Sequence, residues 1–189
     1  MGYVLVRSAL FAVIALSLPL LASCSDLFGN PREQANDYVA EANRAIDDHN
    51  RLFEEARSTY AEAKETIEAG EDASKEVGRI AQTRETMQAA RDKLEEAREP
   101  LSEVQDLNVG SEIREYAGLL SDALDAQLAA EAKEIEFYEI LEQDPVLSKN
   151  REEALAVLAE AGDGYKKAGD NYARAQELAD ANPKLLNKS

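Results

Sequence analysis

A chain of 189 residues with 38 acidic and 21 basic side chains, net charge −17, repels phosphate backbones and anionic headgroups. This argues against nucleic-acid binding and against attachment to a membrane through a basic patch. A single cysteine rules out an internal disulfide, so the fold must rest on its core, and the alanine-, glutamate- and arginine-rich, tryptophan-free composition is that of long helices in one domain.

The first two dozen residues read as a processing signal rather than as structure. Arg7 is their only charge, an apolar run follows from Ala9 to Leu21, broken only by Ser17 and Pro19, and small residues then lead to Cys24. The order Leu21-Ala22-Ser23-Cys24 resembles the lipobox of bacterial lipoproteins, with leucine three places before the cysteine and small residues between. The resemblance implies cleavage of the Ser23–Cys24 bond, removal of signal peptide 1–23 and lipidation of Cys24, with a diacylglyceryl thioether and a further acyl chain such as palmitate on the freed amine. Two or three chains anchor stably, because each buried CH₂ contributes about 0.8 kcal/mol. An uncleaved membrane helix from Tyr3 to Leu21 fits less well, given Pro19 and the small polar cluster. An ordinary cleaved signal would leave an odd free thiol. Myristoylation of Gly2 lacks the serine or threonine that Val6 replaces. By the same resemblance, Ser25 after the cysteine permits export to the outer membrane, so the expected location is the extracytoplasmic face of the cell membrane or outer membrane. Loss of Arg7 makes the mature chain one unit more negative.

Residues 24–30 form a lipidated N-terminus and short tether. Asn30-Pro31 then reads as an N-cap with proline in the first helical position. In the first helix, about 31–69, a seam of Ala35, Val39, Ala42, Ile46, His49, Phe53, Ala56, Tyr60, Ala63 and Ile67 alternates steps of four and three. Gly70 stops it. The second, about 73–106, carries Ile80, Thr83, Met87, Ala90, Leu94, Ala97, Leu101 and Val104, with Pro100 set to kink or end it. The third, about 111–143, carries Ile113, Ala117, Leu120, Leu124, Leu128, Ala132, Ile135 and Tyr138. The fourth, about 147–181, carries Ala154, Leu158, Ala161, Tyr165, Ala168, Tyr172, Ala175 and Ala179, interrupted by Gly162, Gly164 and Gly169. Pro183 ends it, leaving a tail at 184–189. Short connections force antiparallel neighbours, so the expected fold is all-α: an elongated antiparallel four-helix bundle with coiled-coil-like seams over residues 31–183.

His49 is the sharpest anomaly, a lone histidine on a buried seam. Counting equal distances along antiparallel helices puts it level with Gln127 or Glu131, and with Arg91 and Tyr165 on the second and fourth helices. Such a layer reads either as a site for a small solute or metal, or as a register-setting device, which is the commoner use. The diiron bundles of the ferritin-like class need two Glu-x-x-His pairs; Ile46 stands three before the only histidine, so that motif is absent and no metal or cofactor is expected. Arg84, Arg91 and Arg98 recur every seven residues and read as flanking stems pairing with glutamates, rather than as a ladder for an acidic polymer. Tyr116, Tyr138, Tyr165 and Tyr172 read as core rather than as a sugar- or peptide-binding groove. Residues 165–183 faintly resemble one tetratricopeptide helix, but no second copy follows. The trimeric, peptidoglycan-crosslinked outer-membrane lipoprotein is similar in its anchor alone, since Lys188 here is followed by Ser189. No nucleophile elbow, phosphate loop, HExxH or calcium loop is present, leaving little for an enzyme to use. The expectation is a non-enzymatic, lipid-anchored envelope protein that binds or scaffolds another envelope protein or polymer; the alternatives are a solute- or metal-binding bundle and a passive spacer.

Overall fold

The computed structural model describes residues 30–185, and all regular structure among them is helical. The signal segment, Ser23, Cys24 and the tether up to residue 29 lie outside the described residues, as do residues 186–189. Helix α1 spans Pro31–Glu68, a 3₁₀ turn Ala73–Lys75, α2 Val77–Glu96, α3 Arg98–Asp106, α4 Ser111–Gln143 and α5 Arg151–Ala181. No helix among the described residues is long and apolar enough to cross a membrane.

Local chemistry sets the ends. Asn30 Oδ1 accepts from the Arg32 N–H at 3.1 Å, and Pro31 occupies the first turn, where its missing donor costs nothing. At the far end Gly70 takes φ +83°; its N–H reaches Ile67 O and that of Glu71 reaches Thr66 O, the paired bonds of a Schellman cap. The fourth helix begins at Arg151, not near 147, because Asp144 organises the preceding loop. Its carboxylate accepts from the backbone N–H groups of Ser148 (3.0 Å), Lys149 (2.7 Å) and Asn150 (3.2 Å). Those bonds, the Lys149 one first, hold the acid at a pKa of about 2.

The second rod is divided rather than continuous. Pro100 has no N–H for the Glu96 carbonyl, so α2 ends there, and Ala97 bends back to Leu94 O at 3.2 Å. The chain resumes as α3 with Pro100 in its first turn, where proline is tolerated. The seam survives the break: Leu94, Ala97, Leu101 and Val104 are all fully buried.

Four antiparallel rods result, the second being α2 with α3. α1 packs on α2 and α3, both of these on α4, and α4 on α5. The expected all-α bundle is thus what the chain forms, with α4 at its centre. α4 buries residues on more than one face, including Ala123, Ala126 and Ala130 beside the expected seam. Two seam assignments shift. On α4, Ala132 is exposed and Glu131 and Glu134 turn inward; on α5, Val157 takes the core place expected of Leu158. The glycines of α5 do not interrupt it. Gly164 permits a close approach to α4: a Cβ there would lie 2.8 Å from that of Ala130, whereas one at Gly162 would meet nothing within 4 Å.

Opposite outcomes follow for two neighbouring substitutions. Gly162→Ala should raise stability by about 1 kcal/mol through helix propensity, and Gly164→Ala should lower it, both read from urea melts. For Asp144, the depressed pKa makes its stabilisation fully present above the unfolded value of about 4 and lost as pH falls through the folded value of about 2. Asp144→Ala should therefore melt below wild type at pH 7, with the gap closing between about pH 4 and 2; a gap constant across that range contradicts the loop assignment.

Candidate functional site

The apolar interior is divided. One cluster, around Val39, Leu94, Leu101, Leu120 and Leu124, fills the half of the bundle where α1 begins. A second, around Ile80, Met87, Phe137, Tyr138 and Leu141, fills the other half. Between them lies a band of polar side chains contributed by α1, α4 and α5.

His49, fully buried on α1, places Nε2 2.7 Å from Glu131 Oε1 and Nδ1 3.0 Å from Asn50 Oδ1. The ring thus links the Glu131 carboxyl of α4 to an amide oxygen of its own helix. Gln127, one turn before Glu131 on α4, donates from Nε2 to Glu131 Oε1 at 2.9 Å and lies 3.3 Å from His49 Nε2. Its Oε1 accepts from the Tyr172 hydroxyl of α5 at 3.0 Å. Glu131 Oε2, buried with the rest of that side chain, has no hydrogen-bond partner among the described residues.

One turn further, Glu134 is held by three donors. The Tyr138 hydroxyl donates to Oε1 at 2.8 Å, the Tyr165 hydroxyl to Oε2 at 2.5 Å, and the Arg57 guanidinium approaches Oε2 at 3.3 Å. Arg57 also stands over the Phe53 ring, 4.4 Å from its centroid, and 5.6 Å from that of Tyr165. Burial, reinforced by the Glu134 charge, pushes the Tyr138 and Tyr165 phenols well above their usual range and Tyr60 up to about 12. The Tyr138 and Tyr165 phenols therefore act as neutral donors to Glu134. Burial, the largest single effect, would lower the Arg57 pKa, but Glu134 together with Tyr165 and Tyr138 outweighs it and the net shift is upward.

Of the residues expected in one layer, the structure brings His49, Gln127 and Glu131 together. Arg91 is not among them: it pairs with Glu95 of its own helix at 3.0 Å and sits over Leu128 O. Tyr165 donates to Glu134, one turn along α4, and the Glu131 carboxyl also acts on its phenol. Glu134 and Arg57 were not anticipated; the signal lay in Glu131 and Glu134 being three apart, on one helix face. The arginine row pairs within the chain, Arg84 with Glu142 and Arg98 with Asp125.

Among the described residues no group of three or more His, Cys, Asp or Glu side chains gathers as metal ligands. A separate open cavity of about 630 Å³ lies at the end of the bundle where α1 starts, lined by residues including Arg32, Asn108, Glu112 and Lys184. No family model matches the chain, and no curated protein or solved structure shows significant similarity to it.

The band makes a clear energetic statement. Removing one partner of a buried hydrogen-bonded pair leaves the other polar group unsatisfied, at a cost of about 1–3 kcal/mol and more where it is charged, whereas replacing both with apolar groups of similar shape is often nearly neutral. His49→Leu alone should destabilise by that amount, and His49→Leu with Glu131→Leu should recover most of it. A single variant as stable as wild type in urea melts would mean that the pair is not coupled.

Proposed function

We propose that the protein is a lipid-anchored, non-enzymatic component of the cell envelope whose acidic helical bundle binds or scaffolds another envelope component. The observation that carries this reading is Leu21-Ala22-Ser23-Cys24 behind an apolar run with a single leading positive charge. Cys24 is then the lipid acceptor, Ser23–Cys24 the cleaved bond, and the covalent lipid the only attachment, since a net charge of −17 gives no electrostatic attraction to anionic headgroups. The anchor also limits reach. Six residues separate Cys24 from Pro31, about 20 Å fully extended, and a 38-residue α1 adds about 57 Å. A partner must therefore come within that distance of the membrane.

A second reading, a bundle holding a small solute or cation in the polar band, is favoured by one observation: the buried Glu131 Oε2 without a partner among the described residues. Native mass spectrometry and elemental analysis of the protein separate the two, a stoichiometric bound species supporting the second.

Cys24→Ala should abolish acylation and signal cleavage, so that the precursor accumulates at its full length and incorporates no labelled palmitate. Globomycin should reproduce the block in the wild-type chain. Normal processing of the variant would overturn the anchor.

A further inference from the structure

The open cavity of about 630 Å³ beside the start of α1 has a mostly apolar wall, to which Val109, Ile113, Pro183 and Leu185 contribute. Asn30 and Pro31 belong to the same wall, so the chain enters the described residues at the edge of the cavity. Just before that point the tether reads Ser25-Asp26-Leu27-Phe28-Gly29, which lies outside the described residues. Leu27 and Phe28 are its large apolar side chains, and leaving both in water is unfavourable. Phe28 stands two residues from Asn30, a reach of about 7 Å, so the cavity is accessible to it without any change in α1.

Charge supplies an independent observation. Arg32 and Lys184 both line the cavity, and neither pairs with a carboxylate among the described residues. There the Arg32 guanidinium reaches only the Leu185 carbonyl, at 3.5 Å, and its buried Nε has no partner. The acidic residue of the wall, Glu112, accepts from the Ser111 hydroxyl at 3.2 Å in the first turn of α4. The wall thus holds two uncommitted cations, and the tether carries a carboxylate, Asp26, directly before its two apolar side chains.

Other occupants fit less well. The chain also leaves the described residues at this cavity, after Leu185, but residues 186–189 carry Lys188 and no acid. Leu185 already supplies that segment's buried side chain. A free anion or a lipid headgroup would have to compete with a segment that the chain itself holds at high effective concentration.

We propose that residues 26–28 fold back onto the end of the bundle, with Leu27 and Phe28 filling the cavity against Val109 and Ile113 and the Asp26 carboxylate facing Arg32 and Lys184. The consequence is geometric. With Asp26 docked, two residue steps separate the bundle from Cys24, about 7 Å in place of about 20 Å, so the end of the bundle stands directly on the membrane. That consequence rests on the lipid-anchor reading above; the docking itself does not.

The test uses the full chain in phosphatidylcholine nanodiscs. The sequence has no tryptophan, so Phe28→Trp introduces a single reporter. Its emission should be blue-shifted and insensitive both to iodide in the buffer and to bromine on the lipid tails. Val109→Asp, at a half-buried position between α3 and α4, should shift the emission to the red and open it to iodide, and Asp26→Lys should do the same. Independently, Phe28→Cys with Val109→Cys should oxidise to an intramolecular disulfide, and Phe28→Cys with Lys64→Cys, at the far end of α1, should not. Red, iodide-accessible emission without the disulfide, quenching by brominated lipid, or a disulfide from Leu186→Cys to Val109→Cys in its place would overturn the proposal. Mass spectrometry of the same sample reads Cys24 acylation separately. An acylated chain with an exposed reporter keeps the anchor and loses the docking; an unacylated chain with a buried reporter and the disulfide does the reverse.

Discussion

Two carboxylates one helical turn apart, Glu131 and Glu134, are buried at the middle of the central helix, and the side chains around them are arranged so that neither is a bare charge. Each takes a different solution. Glu134 has a guanidinium and two phenols, so both of its oxygens are engaged. Glu131 has a histidine and an amide on one oxygen and, among the described residues, nothing on the other. A carboxylate desolvated without such partners is far costlier than any single apolar contact in this core is favourable, so the positions of α1 and α5 along α4 follow from where His49, Arg57, Tyr165 and Tyr172 must stand.

That requirement gives the bundle a register that its apolar seams would not specify by themselves. Alanine recurs along all four rods, and α1 and α2 carry near-heptad repeats that would pack almost as well one heptad out of step. A slip of that size would place His49 against a different part of α4 and strand Glu131 in the apolar interior. The polar band therefore divides the core into two clusters and fixes their alignment at the same time. Small residues do the complementary work: Gly164 against Ala130 brings α5 close to α4 over the same stretch in which Tyr165 and Tyr172 reach inward.

How much of this was legible from residue order differs element by element. The α1 seam was plain, because a four–three alternation over ten positions leaves only one face to bury. The cap at Gly70 and the disturbance at Pro100 were equally plain, since each follows from backbone chemistry at one residue. The meeting of His49 with Gln127 and Glu131 was reachable by counting along antiparallel helices. Glu134 and Arg57 were not reachable. Ala132 and Ile135 offered an apolar phase for α4 in which the glutamates face water, and nothing local signals that the helix turns the other way. Leu158 was misplaced for a similar reason: next to Val157, either residue could have been the core one.

Residue order by itself therefore determined the helical class, the number of rods, most of their ends and the apolar faces of α1 and α2, all of which follow from periodicity and from single-residue backbone constraints. Which glutamates are buried, which tyrosine serves which carboxylate, and which leucines of α5 face outward were decided only when α4 was enclosed on several sides. The rotation of a central helix is set by the sum of its contacts with every neighbour, and no window along the chain contains that sum.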